Sequence, residues 1–335
     1  KPFLYAAALD HGYTPASLTN DAPLVFNDGH QSEDWRPRNS GGDFLGPIRL
    51  REALYRSRNL VSVRLMIDIG VDEALSYIER FGFARSDLPR HLSASLGTPE
   101  LTPLQMATGY ALIANGGYAV KPWLIERIEN SEQQVIDFSR PAVTPEVVDA
   151  HQQRLDAYAG LDTLVAPPLV ETAEQVIDPR TIYQLTSMLQ DVITRGTGSR
   201  ARELGRNDLA GKTGTTNDQK DGWFAGYNGD FATIVWVGFD QPAPLGRREY
   251  GSTTALPIWT QFMAAALEGR PNHSQPQPEG MVTVRVDPQT GRTARPGTPG
   301  TLLEIFKEED VPPSYSELEL GGYSTEDALT PLELF

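Results

Sequence analysis

The sequence predicts an α+β domain: an antiparallel sheet flanked by helices, joined to an all-helical lobe, with a functional cleft between them. Three observations carry this expectation. Residues 209–216, 223–227 and 231–239 are strand-like runs separated by short polar turns, which is the pattern of an antiparallel meander. A helix from Thr254 to Ala266 follows at once and is placed to cover one face of that sheet. The first half of the chain is dominated by helical segments.

Taken in order, residues 1–9 read as a buried helix. Pro2 is tolerated only in a first turn, so this helix begins within about a turn of it, and Lys1 lies at an electropositive helix N-terminus. Residues 10–47 are rich in Gly, Pro, Asn and Asp, with Asn39-Ser40-Gly41-Gly42 among them, and read as a long functional loop with short strands. A helical stretch is expected from Pro47 to Leu54, leading to Ser57-Arg58-Asn59 at the junction of two helices.

Val71 to Phe81 has the apolar spacing of an amphipathic helix. Thr102 caps another, with Pro103 in its first position and Asn115-Gly116-Gly117 as its stop. Residues 123–130 and 135–138 read as a hairpin, and residues 139–178 as an inserted, mobile loop that is partly helical near Val147 to Tyr158. Asp178-Pro179 opens a strong helix that ends in the glycine turn Arg195-Gly196-Thr197-Gly198-Ser199, with a short helix after it. Beyond residue 268 the composition changes. A small hairpin is expected at Val282 to Val286 with a turn at Asp287 to Gly291, then a loosely attached acidic tail from Glu304.

Composition narrows the function classes. A net charge of −15 argues against nucleic acid and against anionic membrane surfaces as partners. There is no cysteine, hence no disulfide and no thiolate metal site. The five histidines, at 11, 30, 91, 151 and 273, lack metal-ligand spacing and have no triad arrangement. No metal or cofactor is expected. No apolar run reaches the length of a membrane span, and there is no signal peptide. The first segment is already core-like, so the sequence reads as a portion of a longer protein.

Chemistry concentrates in residues 209–216, Leu-Ala-Gly-Lys-Thr-Gly-Thr-Thr. Lys212 offers a cation. Thr213 and Thr215 fall on one face of an extended strand, and Gly214 between them permits close approach by a ligand. Two hydroxyls and free edge N–H groups suit a carboxylate and its adjacent carbonyl. Ser57 and Asn59, two apart, offer a proton relay and an amide to hold a substrate carbonyl. Each signal has a bland counterpart: a solvated lysine on a surface strand, a helix cap, a chain terminus.

In combination, and in this order, the three signals resemble the penicillin-binding proteins, whose motifs Ser-x-x-Lys, Ser-x-Asn and Lys-Thr-Gly are shared with serine beta-lactamases. Lys1-Pro2-Phe3-Leu4-Tyr5, Ser57 to Ser62, Gly211 to Asn217 and Asp221-Gly222-Trp223-Phe224-Ala225-Gly226-Tyr227 look like class A, bifunctional members from Gram-negative bacteria. The resemblance covers residues 1–268 as a transpeptidase domain, leaving 269–335 as a C-terminal extension of small hairpin and acidic tail. The family nucleophile lies three positions before the motif lysine. Here that lysine is residue 1, so the serine has no number and is expected upstream.

The resemblance implies cross-linking of peptidoglycan stem peptides ending in D-Ala-D-Ala through an acyl-serine, with beta-lactams as covalent inhibitors. It implies Lys1 as general base, Ser57 as proton carrier, Lys212 as the cation that tunes it, and Asn59, Thr213, Gly214 and Thr215 as substrate-binding residues. It further implies a protein anchored at the periplasmic face of the inner membrane, touching the membrane only through an N-terminal anchor, with regulators of wall synthesis as further partners. A DD-carboxypeptidase, a beta-lactamase-like hydrolase and a non-enzymatic beta-lactam sensor or peptidoglycan-binding module share the same motifs and stay open at this point. The string Glu126 to Asn130 matches the deacylating Glu-x-x-x-Asn of class A beta-lactamases, but it reads as a hairpin strand. Arg195, Arg200, Arg202, Arg206, Arg247 and Arg248 form either a basic rim for anionic substrate or a solvated face.

Overall fold

Helix α1 (Pro2–Asp10) opens the computed structural model, which describes residues 1–25, 35–139, 142–160, 164–273, 275–295 and 297–313. Pro2 sits in the first turn, and every residue from Pro2 to Leu9 is buried, so α1 is the axis of the main core. Phe3 meets Phe81, Phe83 and Tyr110 at ring separations of 4.9, 4.8 and 5.6 Å, tying α1 to the segments around it.

Strands β1 (Leu18–Asp21) and β2 (Gly46–Arg49) pair antiparallel, and α2 (Leu50–Tyr55) follows directly. The helix expected from Pro47 therefore starts later. Pro47 lies opposite Asn20 in the ladder, and β2 has a partner on one side only among the described residues, where a missing N–H is tolerated. Helices α3 (Asn59–Ile69) and α4 (Val71–Glu79) complete this layer. Helix α5 (Pro103–Ala114) has the expected start: the Thr102 hydroxyl accepts from the Gln105 N–H, and the Gln105 side chain returns the bond.

The next hairpin is shorter than expected. Its strands are β3 (Arg127–Glu129) and β4 (Val135–Phe138), and Leu124 and Ile125 lie outside it, exposed. The inserted region carries β5 (Ala142–Val143), α6 (Val148–Asp156) and β6 (Glu171–Thr172). β5 and β6 run parallel, and Leu155 joins Val135 and Phe138 in a small core of its own.

Helix α7 (Pro179–Thr194) is capped by Asp178, whose carboxylate accepts from the Arg180 N–H. The meander is as read: β7 (Ala210–Thr215), β8 (Asp221–Tyr227) and β9 (Ala232–Gly238), antiparallel throughout, with β7 at one edge. Alternation divides the faces of β8. Ala225 and Tyr227 join the main core with α1 and α7, while Phe224 joins Trp259 of helix α8 (Ala255–Ala266). Gly226 lets Trp259 approach the sheet closely, since a Cβ there would come within 2.6 Å of the indole.

The C-terminal region corrects two expectations. Strand β10 (Met281–Val286) pairs with β11 (Leu302–Lys307) rather than with the residues just after the turn, where one bridge, Val286 to Thr293, forms. The tail expected to hang loosely from Glu304 is firmly held at its start. Glu304 is 2% exposed and accepts two bonds from Arg51, at 2.8 and 2.5 Å, because a buried guanidinium needs a planar carboxylate beside it. Lys307 reaches Asp10 and Asp178, so the hairpin clasps α1, α2 and α7 together. The acidic tail beyond residue 313 and His30 lie outside the described residues.

Candidate active site

Three separate segments deliver the charged and hydroxyl groups. Lys1 immediately precedes α1 as its N-cap. Ser57 and Asn59 come from the tight junction between α2 and α3. Lys212, Thr213, Gly214 and Thr215 lie on edge strand β7. The structure brings them together in two bonded pairs: Lys1 Nζ donates to Asn59 Oδ1 at 2.8 Å, and Lys212 Nζ donates to Ser57 Oγ at 2.8 Å. Two ammonium groups thus bond to the two ends of the same three-residue turn.

Both cations are destabilised. Burial lowers the Lys1 side chain to about 8, and burial together with the charge of Lys1 lowers Lys212 to about 7. Among the described residues, the carboxylates that pair with cations do so elsewhere, and none offsets these two. Among the described residues Lys212 finds only neutral acceptors: Ser57 Oγ at 2.8 Å, the carbonyl of Thr213 at 2.9 Å and Thr213 Oγ1 at 3.4 Å. Close to neutral pH, at least one of the two lysines can hold a free amine lone pair, which is what a base needs.

The turn itself is strained. Ser57 has φ +58°, a left-handed backbone that a non-glycine residue adopts at a cost of roughly 1–2 kcal/mol. Its neighbours over-determine it. The Ser57 N–H donates to Leu54 O at 3.0 Å and the Arg58 N–H to Ala53 O at 2.9 Å. The Arg58 guanidinium is buried against Asp21, at 2.7 and 2.6 Å, and against Asp43 at 3.1 Å. Arg58 entered the sequence reading only as the variable middle of the motif, and Asp21 not at all. The available signal was an arginine fixed between two site residues and acidic residues in the long loop before it.

On the strand, Thr213 Oγ1 and Thr197 Oγ1 share a hydrogen bond of 2.6 Å. Thr197 belongs to the glycine turn after α7, whose sequence signals a turn and nothing more. Gly196 allows that turn to sit against the carbonyl of Tyr55, where a Cβ would approach within 2.5 Å. Thr215 Oγ1 accepts from the Gly251 N–H at 3.0 Å, which leaves its own hydrogen for a ligand. Among the described residues β7 pairs only with β8, so its other edge presents main-chain N–H and C=O groups.

Other sequence candidates fall away. Glu126 lies just before β3 and pairs with Arg154, in keeping with the structural reading of its string. Arg195 is bonded to Asp191 and Arg206 to Asp208, so these two are not free cations of a rim. Among the described residues no cluster of His, Asp and Glu could hold a metal, and no helix is long and apolar enough to cross a membrane.

The family described as "Penicillin binding protein transpeptidase domain" matches residues 1–264. The chain is 50% identical to penicillin-binding protein 1A of Pseudomonas aeruginosa across 100% of this chain and 44% of that protein. It is 43% identical to penicillin-binding protein 1A of Neisseria gonorrhoeae across 84% of this chain and 32% of that protein. The crystal structure of penicillin-binding protein 1A from Haemophilus influenzae superposes with a TM-score of 0.83 at 32% identity, covering 94% of this chain and 48% of that one. The chain therefore spans less than half the length of each of these relatives.

Proposed function

The chain belongs to the penicillin-binding protein transpeptidase family, and from that premise we propose that it is the transpeptidase part of a bifunctional wall-synthesis enzyme. The carrying observation is the pair of pKa-lowered lysines bonded to the two ends of Ser57-Arg58-Asn59. The domain spans residues 1–268 with an insertion at 139–178, and 269–335 is its extension.

The attacking oxygen belongs to a serine three positions before Lys1 in the full protein. Neutral Lys1 takes its proton as the oxygen bonds to the penultimate D-Ala carbonyl. The N–H of Thr215, with that of the serine, holds the developing oxyanion. As the C–N bond breaks, the proton taken by Lys1 passes to the departing D-Ala amine through Ser57, whose hydroxyl is oriented by Lys212, 2.8 Å away, and Lys1 is neutral again. An acyl ester remains. An amine of a second stem peptide then attacks it and gives its proton to Lys1, which returns it to the serine oxygen as the ester C–O bond breaks and the cross-link is formed.

Substrate grip follows from unspent hydrogen-bonding capacity. Asn59 uses its oxygen on Lys1 and one N–H on the carbonyl of Arg38, leaving one N–H for a substrate amide oxygen. Thr213 and Thr215 offer hydroxyls to the terminal carboxylate, with Gly214 giving access between them. Beta-lactams mimic this terminus and acylate the same serine. No cofactor takes part. The full protein is anchored in the inner membrane and works on its periplasmic face, where regulators of wall synthesis are its further partners.

The test is mass spectrometry of products from the full-length protein supplied with stem-peptide substrate. Cross-linked dimers are expected. Hydrolysed monomers alone would make it a carboxypeptidase, and a stable acyl adduct without either product would make it a sensor.

A further inference from the structure

The side chain of Asn39 sits between the site turn and a buried carboxylate, and every hydrogen-bonding position it has is in use. Asn39 Oδ1 accepts from the Asn59 N–H at 2.8 Å and from the Leu60 N–H at 3.4 Å. It thus caps α3 from a loop 20 residues away, in place of Arg58, whose own side chain makes no cap bond. Its Nδ2 donates to Asp21 Oδ1 at 2.8 Å and to the backbone carbonyl of Asp43 at 3.0 Å. Asp21, fully buried, also accepts from the Leu45 N–H at 3.0 Å and from Arg58 at 2.7 Å.

Resting on the proposed transpeptidase function, we infer that Asn39 is a positioning residue of the acylation site: it fixes the Asn59 backbone so that Asn59 Oδ1 meets Lys1 Nζ, and it holds the left-handed Ser57 turn toward Lys212. The chemistry requires an amide. The position must accept from two N–H groups on one side and donate to a carboxylate and a carbonyl on the other. Among side chains of this length only asparagine does both. An aspartate accepts but donates only when protonated, and it would face the carboxylate of Asp21.

That difference supplies a test which a loss of fold does not imitate. Second-order acylation rates by a fluorescent penicillin, and the labelled fraction at saturation, are measured for the full-length wild type, Asn39→Ala and Asn39→Asp from pH 5.5 to 8.5. The charged or titratable groups that touch Asn39 or its partners are Asp21 on β1 and Asp43 in its own loop, Arg58 bonded to both of these, Arg64 on α3 and Tyr5 of α1, whose electrostatics feel Asp21, and Lys1, bonded to Asn59. Except at position 39 itself, these groups are common to all three proteins, so ratios to the wild type cancel their ordinary titration.

Asn39→Ala is expected to lower the rate roughly ten- to hundredfold at an undiminished labelled fraction, with a ratio flat in pH. Asn39→Asp is expected to recover toward the wild-type rate as pH falls, because its protonated carboxyl again donates to Asp21. Rates within twofold of wild type for Asn39→Ala overturn the inference. So does a loss confined to the labelled fraction, and so do two variants with the same flat ratio. A wild type that takes no label instead removes the transpeptidase reading, and the inference falls with it.

Discussion

Lys212 Nζ lies 2.8 Å from Ser57 Oγ, joining an edge strand to a helix junction 155 residues earlier in the sequence. The bond links a serine held in a left-handed backbone to an amine lowered to about 7. Each partner is unfavourable alone. Folding therefore places strain and desolvation together where a proton has to move.

Lys1→Arg keeps the charge but removes the possibility of a free amine, since a guanidinium does not deprotonate in the working range. Acylation by penicillin is expected to fall about 10²- to 10⁴-fold. In the wild type the rate should climb as pH rises through about 8, where Lys1 loses its proton, and that limb should vanish in the variant. Stopped-flow acylation across pH checks both. A variant that keeps the limb would assign the base elsewhere.

Lys212 also makes stability depend on pH. Its amine titrates near 7 in the folded chain and at 10.5 when solvated, so the unfolded chain binds more protons between those values. The contribution of this group is therefore poorest below about pH 7 and improves as pH rises toward 10.5. Relative to Lys212→Met, the wild type should gain on the order of 2 kcal/mol between pH 7 and 9. Urea denaturation of both proteins at the two pH values measures it, and a difference independent of pH would contradict the burial of a poised amine.

Thr197→Val removes the hydroxyl 2.6 Å from Thr213. Loss of one such bond costs about 1 kcal/mol, so kcat/KM for a peptide ending in a free carboxylate should drop about three- to tenfold. Thr197→Ser should restore it. The drop should shrink for the same peptide ending in an amide. An equal loss for both termini would mean that Thr197 shapes the fold rather than the carboxylate grip.

Glu304 anchors the C-terminal hairpin to Arg51 of the helix that ends two residues before Ser57. Glu304→Ala leaves a buried guanidinium with only Asp191 and Ser187 as partners, and should cost about 3 kcal/mol by thermal or urea unfolding. The labelled fraction at low temperature should stay close to one. A stability change under 1 kcal/mol would show that the hairpin is held by its apolar contacts instead.

Much of this was legible before any coordinates, because local rules and tertiary demands agree. Pro2, Thr102 with Pro103, and Asp178 with Pro179 mark helix starts by chemistry that depends on a few neighbouring residues. The β7–β8–β9 meander follows from alternation and short turns. What escaped was set by distant partners. Glu304 reads as part of an acidic tail until Arg51, 253 residues earlier, takes it into the interior. Pro47 reads as a helix start until β1 claims it. Thr197, Asp21 and Arg58 carry no motif of their own, and their meaning comes from Thr213 and from the strained turn they support.

The most direct measurement is to treat the full-length protein with penicillin, digest it, and map the acylated peptide by mass spectrometry. A single adduct per protein is expected on the serine three positions before Lys1, with a sharp loss in both Lys1→Arg and Lys212→Met at the same exposure. An unmodified wild-type protein, or an adduct on Ser57, Lys212 or any other residue, would contradict the account.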